Sequence, residues 1–279
     1  MKFNMLGSGG VVPPPRPGCN CKVCKEAREK GIPYYRTGTC LYNYEAKLLF
    51  DVPEEIRQQL NRENINEVRN VILTHWHPDH TLGLRILEQL NFDFVNQKPF
   101  NELINVFISH FQLEMFKKLS CGSFLDFYEK QRGIIRIKIF KGYDILDFGS
   151  VKVEPVLIEH TKGFYFIITD NRGRKLVYAP CEYKNLKVHE NCKNADIFIA
   201  HHLFFEDKSI GNPNIDWSNE EDSFEQMLQH AKEMNAKKII ITHIEEMFGL
   251  NHDELNKTVK EKCPDFNIEF GYDGMIIEV

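Results

Sequence analysis

The chain has 279 residues, of which 42% are hydrophobic and 27% charged, and its formal net charge is −5. This composition predicts a globular protein and disfavours a nucleic-acid binder that depends on a basic surface. No apolar stretch approaches the roughly 20 residues of a membrane span, and the first ten residues lack the apolar core of a signal peptide. We therefore expect a cytoplasmic protein with one domain over residues 1–279.

Apolar, β-favouring runs that end in a polar or metal-competent residue recur along the chain and predict buried strands. In chain order these runs end at Asp51, His75, Cys181, His201 and His243. Helical patterns lie between them, and the last one, "SNEEDSFEQMLQHAKEM", predicts Ser218 as its N-cap. Residues 151–179 instead indicate consecutive strands with "NRGRK" as a hairpin turn. This order favours a layered α/β protein with mixed sheets.

The stretch "THWHPDH", residues 74–80, follows the apolar run "VIL" directly. His75 and His77 are two apart in an extended segment, so both side chains can project to one side. Asp79 and His80 follow at the start of a helix, where the chain turns back towards the same point. Imidazoles and a carboxylate suit zinc, manganese or iron, and the spacing permits two adjacent ions. The alternative is a surface turn in which Asp79 caps the helix and the histidines are incidental.

The motif HxHxDH in this stretch closely resembles the signature of the metallo-β-lactamase superfamily. That resemblance implies an α/β (α+β) fold of four αββα layers, in which helices flank a sandwich of two mixed sheets. It also implies that His160 and His243 are further metal ligands, and that Asp51 supports the ligands without binding metal itself.

Both ends of the chain resemble a narrower group, the phosphoribosyl 1,2-cyclic phosphodiesterases and the pyrroloquinoline-quinone biosynthesis protein B proteins. The matching segments are "LGSGGVVPPPRPGCNCKVC" and "GYDGMIIEV". The resemblance implies that Cys19, Cys21 and Cys24 hold a structural zinc away from the active site. Glu246 and His252 are the candidates for its fourth ligand, and we favour His252 because histidine is the more usual partner of three thiolates. Free thiols near a turn are the alternative.

Cys181 departs from the superfamily pattern, because it stands where an aspartate normally bridges two metals. One interpretation is a buried structural cysteine. The other follows zinc β-lactamases of the superfamily, whose second ion has Asp, Cys and His ligands; here these would be Asp79, Cys181 and His243. A thiolate favours zinc or ferrous iron over manganese. We therefore expect two active-site zinc ions, with iron or manganese as alternatives, and one structural zinc.

The group that protonates the leaving oxygen is a second departure, because Glu221 occupies the position at which related phosphodiesterases have a histidine. Asp216, Glu220 and Glu221 could serve if buried, or could be only a charged first helical turn. His201 or His202 could approach from a neighbouring strand end. The predicted catalytic groups are Asp79, His202 and Glu221.

The implied function is metal-assisted hydrolysis of a small cyclic or nucleotide-like phosphodiester. A metal-bound hydroxide would attack the ester, with its ion held by His75, His77 and His160. An iron-dependent oxidoreductase and a non-catalytic metal-binding protein are the alternatives. The aromatic-rich residues 92–149 are expected to be core, although a lid or a homodimer surface would also fit.

Overall fold

The fold is described from a computed structural model that covers residues 1–119, 121–181, 183–202, 205–206, 214, 218 and 221–279. Its strands, in chain order, are β1 (Lys2–Gly7), β2 (Cys40–Asn43), β3 (Leu48–Phe50), β4 (Asn70–Ile72), β5 (Phe92–Asp93), β6 (Lys98–Pro99), β7 (Ile104–Ser109), β8 (Ile135–Phe140), β9 (Leu146–Asp147), β10 (Val151–Leu157), β11 (Phe164–Asp170), β12 (Lys175–Ala179), β13 (Ile197–His201), β14 (Ile239–Thr242), β15 (Ile268–Phe270) and β16 (Met275–Glu278). Its α-helices are α1 (Lys22–Lys30), α2 (Ile56–Arg62), α3 (Pro78–Thr81), α4 (Ile86–Asn91), α5 (His110–Lys118), α6 (Cys121–Asp126), α7 (Phe224–Met234) and α8 (His252–Lys262).

The strands form two seven-stranded mixed sheets and one short hairpin. The first sheet has the order β16-β1-β2-β3-β4-β7-β8, the second has the order β15-β14-β13-β12-β11-β10-β9, and β5 pairs with β6. In the first sheet β3, β4, β7 and β8 are parallel neighbours, and in the second β12 to β15 are. β10, β11 and β12 are consecutive antiparallel strands, which confirms the predicted hairpin at "NRGRK".

Three apolar clusters separate the layers. Phe50 lies between the sheets, where its ring is 5.5 Å from that of Phe166 and 5.4 Å from that of Tyr178, measured between centroids. Its neighbour Leu49 points to the opposite face, as strand geometry requires, and packs in the cluster that includes residues of α2, α4 and α5. The outer face of the second sheet packs in the same way with residues of α7 and α8, including Met227. The predicted αββα sandwich of two mixed sheets is therefore confirmed.

The start of α7 differs from the sequence-based prediction. Its N-cap is Ser223 and not Ser218, and Ser223 forms a reciprocal capping box with Gln226. Helix formation from Ser223 places Phe224 and Met227 on the buried face, and this burial decides between two similar capping sequences. In the part of the chain that the structure describes, no helix is both long and apolar enough to cross a membrane.

Candidate metal centre

The candidate ligands meet where the carboxyl ends of strands from both sheets lie together. Asp51 follows β3, the motif at residues 74–80 follows β4, His201 ends β13 and His243 follows β14. Carboxyl ends of parallel strands share one edge, which explains how distant residues meet here. Asp51 and His243 have left-handed backbones, with φ of 66° and 58°. Non-glycine residues adopt this conformation infrequently, and such residues concentrate at functional sites.

The loop after β4 returns on itself within seven residues. Pro78 occupies the first turn of α3, where its missing N–H costs nothing, and the turn brings Asp79 and His80 back towards His75. The His75 and His80 rings are 3.9 Å apart between centroids, and both side chains are buried. His77 lies beside them, half-buried, with its ring 4.8 Å from that of His75.

Three overlapping sets of ligand atoms lie at this edge, and within each set all atoms are within 4.8 Å of one another. The sets are His75, His80 and Cys181; Asp79, His80 and His243; and Cys181, His201 and His243. Among the residues that the structure describes, none hydrogen-bonds to the buried His75 Nε2, and an unpaired buried polar atom is costly. Imidazole, thiolate and carboxylate together suit zinc or another borderline ion. The residues therefore fit the implied metal.

The charges in the centre stabilise one another. Burial would raise the pKa of Asp79, but the neighbouring His243 and His80 imidazoles, whose Nε2 atoms each lie 3.2 Å from Asp79 Oδ2, hold that pKa well below its usual range. Burial opposes ionisation of Cys181 too, yet the neighbouring His243 and His75 lower the pKa of its thiol well below the usual value. Cys181 is thus held as a thiolate, the form that binds metal.

Asp51 orients two of the histidines from behind. It is fully buried, and its carboxylate accepts hydrogen bonds from the Thr74 amide, the Thr74 hydroxyl and His80 Nδ1, each at 2.7 Å. Thr74 Oγ1 also lies 3.1 Å from His75 Nδ1. With its hydroxyl hydrogen given to Asp51, Thr74 Oγ1 accepts from His75 Nδ1–H. Both imidazoles thereby present Nε2 to the centre, which is the arrangement that outer carboxylates impose on ligating histidines. This placement agrees with the supporting role implied for Asp51.

His243 has two neighbours that sequence reasoning did not identify. Glu245 is buried, its pKa is raised by burial, and its carboxylate accepts the Val11 and Val12 amides at 2.7 and 2.8 Å. Its Oε1 lies 3.8 Å from His243 Nδ1. Gly10 packs so closely that a Cβ there would lie 2.5 Å from His243 Nδ1. The glycine pair in "GSGG" was the available signal for this close approach.

The histidine pair after β13 divides between two environments, and the structure corrects the choice of His202 as a catalytic group. His201 contacts the centre, with its ring 4.4 Å from that of His243, and burial lowers its pKa to about 4. His202 points to the other side of the sheet, where Phe205, Phe224 and Phe248 surround it. Adjacent residues of an extended segment face opposite sides, so only one of the two could reach the centre.

Glu221 lies beside the centre. Its Oε2 is 3.9 Å from His201 Nδ1, and its side chain is largely enclosed. Asp216 and Glu220, the other acidic candidates, lie outside the described residues. Of the three acidic candidates for protonating the leaving oxygen, Glu221 is the one that the structure places beside the centre.

His160 is not brought to the centre. It is exposed in the turn between β10 and β11 and belongs to none of the three ligand sets. The Ile158 amide bonds to the Gly163 carbonyl at 3.0 Å and the Lys162 amide to the Ile158 carbonyl at 2.9 Å, so the turn is tight and carries His160 on its outer side. The structure thus differs from the ligand set of His75, His77 and His160.

The cysteine cluster forms a second candidate site with Glu246 as its fourth member. Ligand atoms of Cys19, Cys21, Cys24 and Glu246 all lie within 4.8 Å of one another. Cys21 caps α1 by accepting the Cys24 amide, and Cys24 Sγ lies 2.9 Å from Glu246 Oε2. The three thiols converge because Cys19 and Cys21 lie just before α1 and Cys24 lies in its first turn.

His252 is placed elsewhere, which corrects the choice of fourth ligand. Its Nδ1 lies 3.1 Å from Nη2 of the buried Arg36, from which it accepts a hydrogen bond. Burial and the Arg36 charge lower the pKa of His252 to about 4. The lone pair that could bind a metal is therefore already used.

The two mixed sheets and the candidate metal centre at their shared edge define a protein of the metallo-β-lactamase fold class. Residues 47–244 match the family described as the β-lactamase superfamily domain, and the chain belongs to that superfamily. Ribonuclease Z of Thermococcus gammatolerans is 28% identical over 185 residues, which are 64% of this chain and 50% of the relative. The chain thus spans about half the length of the curated relatives it matches.

Solved structures show the same fold along the chain. Zinc-bound PqqB from Methylobacterium extorquens superposes with a TM-score of 0.74 at 15% identity and covers all of both chains. A diphosphatase from the PhnP family gives a TM-score of 0.72 at 19% identity over 100% of this chain and 98% of the other. These similarities confirm the narrower resemblance at the level of fold.

Proposed function

We propose that this protein is a metal-dependent hydrolase, and specifically a phosphodiesterase that acts on a small cyclic or nucleotide-like phosphodiester. The observation that carries the proposal is the set of buried imidazole, thiolate and carboxylate ligand atoms that overlap at one strand edge. The ribonuclease Z relatives and the PhnP-family diphosphatase support phosphoester chemistry.

The residues that would hold the metal are those of the three ligand sets, which favour zinc. A bound divalent ion supplies a Lewis acid that lowers the pKa of water and balances negative charge on the phosphate oxygens. Asp79 stays ionised at the centre, and Asp51 keeps the proton of His80 on Nδ1 and so leaves Nε2 free. Glu221, next to His201, is the group to which we assign proton donation to the leaving oxygen.

An iron-dependent oxidoreductase is the second candidate, because the Cys181 thiolate suits ferrous iron as well as zinc. Elemental analysis of protein purified without added metal separates the two by the identity of the ion. The proposed function predicts zinc, two ions at the centre and one at the cysteine cluster.

Hydrolysis of bis(4-nitrophenyl) phosphate tests the activity. His75→Ala should lower kcat/KM by more than the roughly 10–100-fold that loss of an outer partner costs, because it removes a ligand. His189→Ala is the matched control, since His189 lies away from the ligand sets and should leave the rate unchanged. A zinc-loaded wild type that hydrolyses no phosphodiester would refute the proposed function.

A further inference from the structure

A groove of about 490 Å³ opens beside the metal centre. His75 and Trp76 line one side of it, and the first half of α5 and the turn at residues 161–163 line the others. The groove therefore reaches a ligating histidine from outside and offers a place for the part of a substrate that does not react.

Hydrogen bonds connect the start of α5, which lines the groove, to the loop of the candidate metal centre. Ser109 caps α5 through a reciprocal capping box with Gln112, and the Gln112 side-chain amide donates to the Thr74 carbonyl. Thr74 is the residue that bonds both Asp51 and His75. These contacts fix the position of the first turns of α5, including Phe111, relative to the His75 imidazole.

Aromatic and apolar side chains line the groove together with the charged Lys162 and Glu114, and Lys162 is also paired with Glu159 at 2.8 Å. Phe111 is 42% exposed and lines the groove together with Trp76 and Met115. The Lys162 ammonium lies 5.8 Å from the centroid of the Phe111 ring. Exposed aromatic side chains bind planar rings by stacking, and a nearby cation adds attraction to a π-face.

We propose that this groove binds a planar aromatic group of the substrate, of the nucleobase type, and that Phe111 is the residue that sets this specificity. The inference rests on the proposed function for the position of the phosphate, which would lie at the centre beside His75. The ring would lie against Phe111 and Trp76, with Lys162 at the rim.

Calorimetric titration of the zinc-loaded full chain with two phosphates tests the groove without turnover. Adenosine 5′-monophosphate and ribose 5-phosphate share the phosphate and the sugar, and only the first carries a base. We expect the first to bind about tenfold more tightly, within the range that base–aromatic stacking supports. Phe111→Ala should remove that preference and leave the affinity for ribose 5-phosphate unchanged.

Phe100→Ala is the matched control, because Phe100 is 60% exposed and does not line the groove, so the base preference should persist. Equal affinities of the wild type for the two phosphates would overturn the inference, and so would a base preference that survives Phe111→Ala. The outcomes for the two proposals are separable. A base preference without phosphodiester hydrolysis refutes only the proposed function, whereas hydrolysis without a base preference refutes only the groove assignment.

Discussion

Replacement of Asp51 by asparagine isolates the role of the buried carboxylate behind the metal centre. Asparagine has the same shape and tolerates the left-handed backbone at this position, so the change adds no strain. Three donors converge on the Asp51 carboxylate, whereas an amide has only one accepting oxygen. If the oxygen of the introduced asparagine accepts the hydrogen bond from the Thr74 amide, the side-chain NH₂ of that asparagine faces the Thr74 hydroxyl and His80 Nδ1. The Thr74 hydroxyl can rotate and accept a hydrogen bond from this NH₂.

His80 can accept only by moving its proton to Nε2, the nitrogen that faces the centre. We therefore expect Asp51→Asn to lower zinc affinity at the centre by about 10–100-fold. Each lost hydrogen bond to the charged carboxylate should also cost about 1.5–3 kcal/mol of the free energy of unfolding. Competition with a chelating dye measures the affinity, and urea unfolding measures the stability.

Asp273→Asn is the matched control for this variant. Asp273 is an equally buried carboxylate that accepts hydrogen bonds from Ser8, Thr37 and Arg62, and no histidine in the described part of the chain bonds to it. The control should lose stability and keep the zinc affinity of the wild type. An Asp51→Asn protein whose zinc affinity stays within twofold of that of the wild type would refute the tautomer argument.

Further predictions concern single residues. Cys181→Ala should release one active-site ion per chain and reduce phosphodiester hydrolysis. Cys181→Asp should keep two ions and hydrolyse phosphodiesters faster with manganese than with zinc. Unchanged metal content in Cys181→Ala would make the cysteine a packing residue only. Glu246→Gln should lower the zinc content by one ion and lower Tm, while His252→Gln should keep that ion, and the reverse pattern would restore His252 as the ligand. His252 should also make the fold acid-sensitive. Its pKa in the folded protein is about 4, below the value near 6.5 in the unfolded chain, so the unfolded chain binds the proton first. The free energy of unfolding should therefore fall as the pH drops from about 6.5 towards 4. Urea unfolding across that window should show a shallower decline for His252→Gln than for the wild type, and equal slopes would contradict this explanation.

The sequence predicted those parts of the site that depend on local geometry. The layered α/β order follows from strand and helix periods, and the convergence of His75, Asp79 and His80 follows from the turn after a strand, whereas the roles of Asp51 and His243 were implied by the superfamily resemblance. The two-residue alternation of a strand and the convergence of parallel strand ends at one edge explain why the structure brings these residues together.

The remaining choices depend on packing that a single sequence does not specify. The sequence alone does not distinguish His201 from His202, because the register of β13 decides which of them faces the centre. His252 was chemically the better partner for three thiolates, but Arg36, 216 residues away along the chain, already bonds to it. Ser218 and Ser223 both precede capping sequences, and burial of one helix face selects the second.

The tetrapeptide "HIEE", residues 243–246, has a consequence for the order of assembly. It supplies His243 to the metal centre, its second glutamate to the cysteine cluster, and Glu245 to the amides of Val11 and Val12. The contact between Cys24 and Glu246 joins residues 222 positions apart, and that between Val11 and Glu245 joins residues 234 apart. Closing loops of this length has an entropic cost, which the chain must meet before such contacts can stabilise it. Both ion sites should therefore be completed in the same step, when the cysteine segment docks on the strand end after β14.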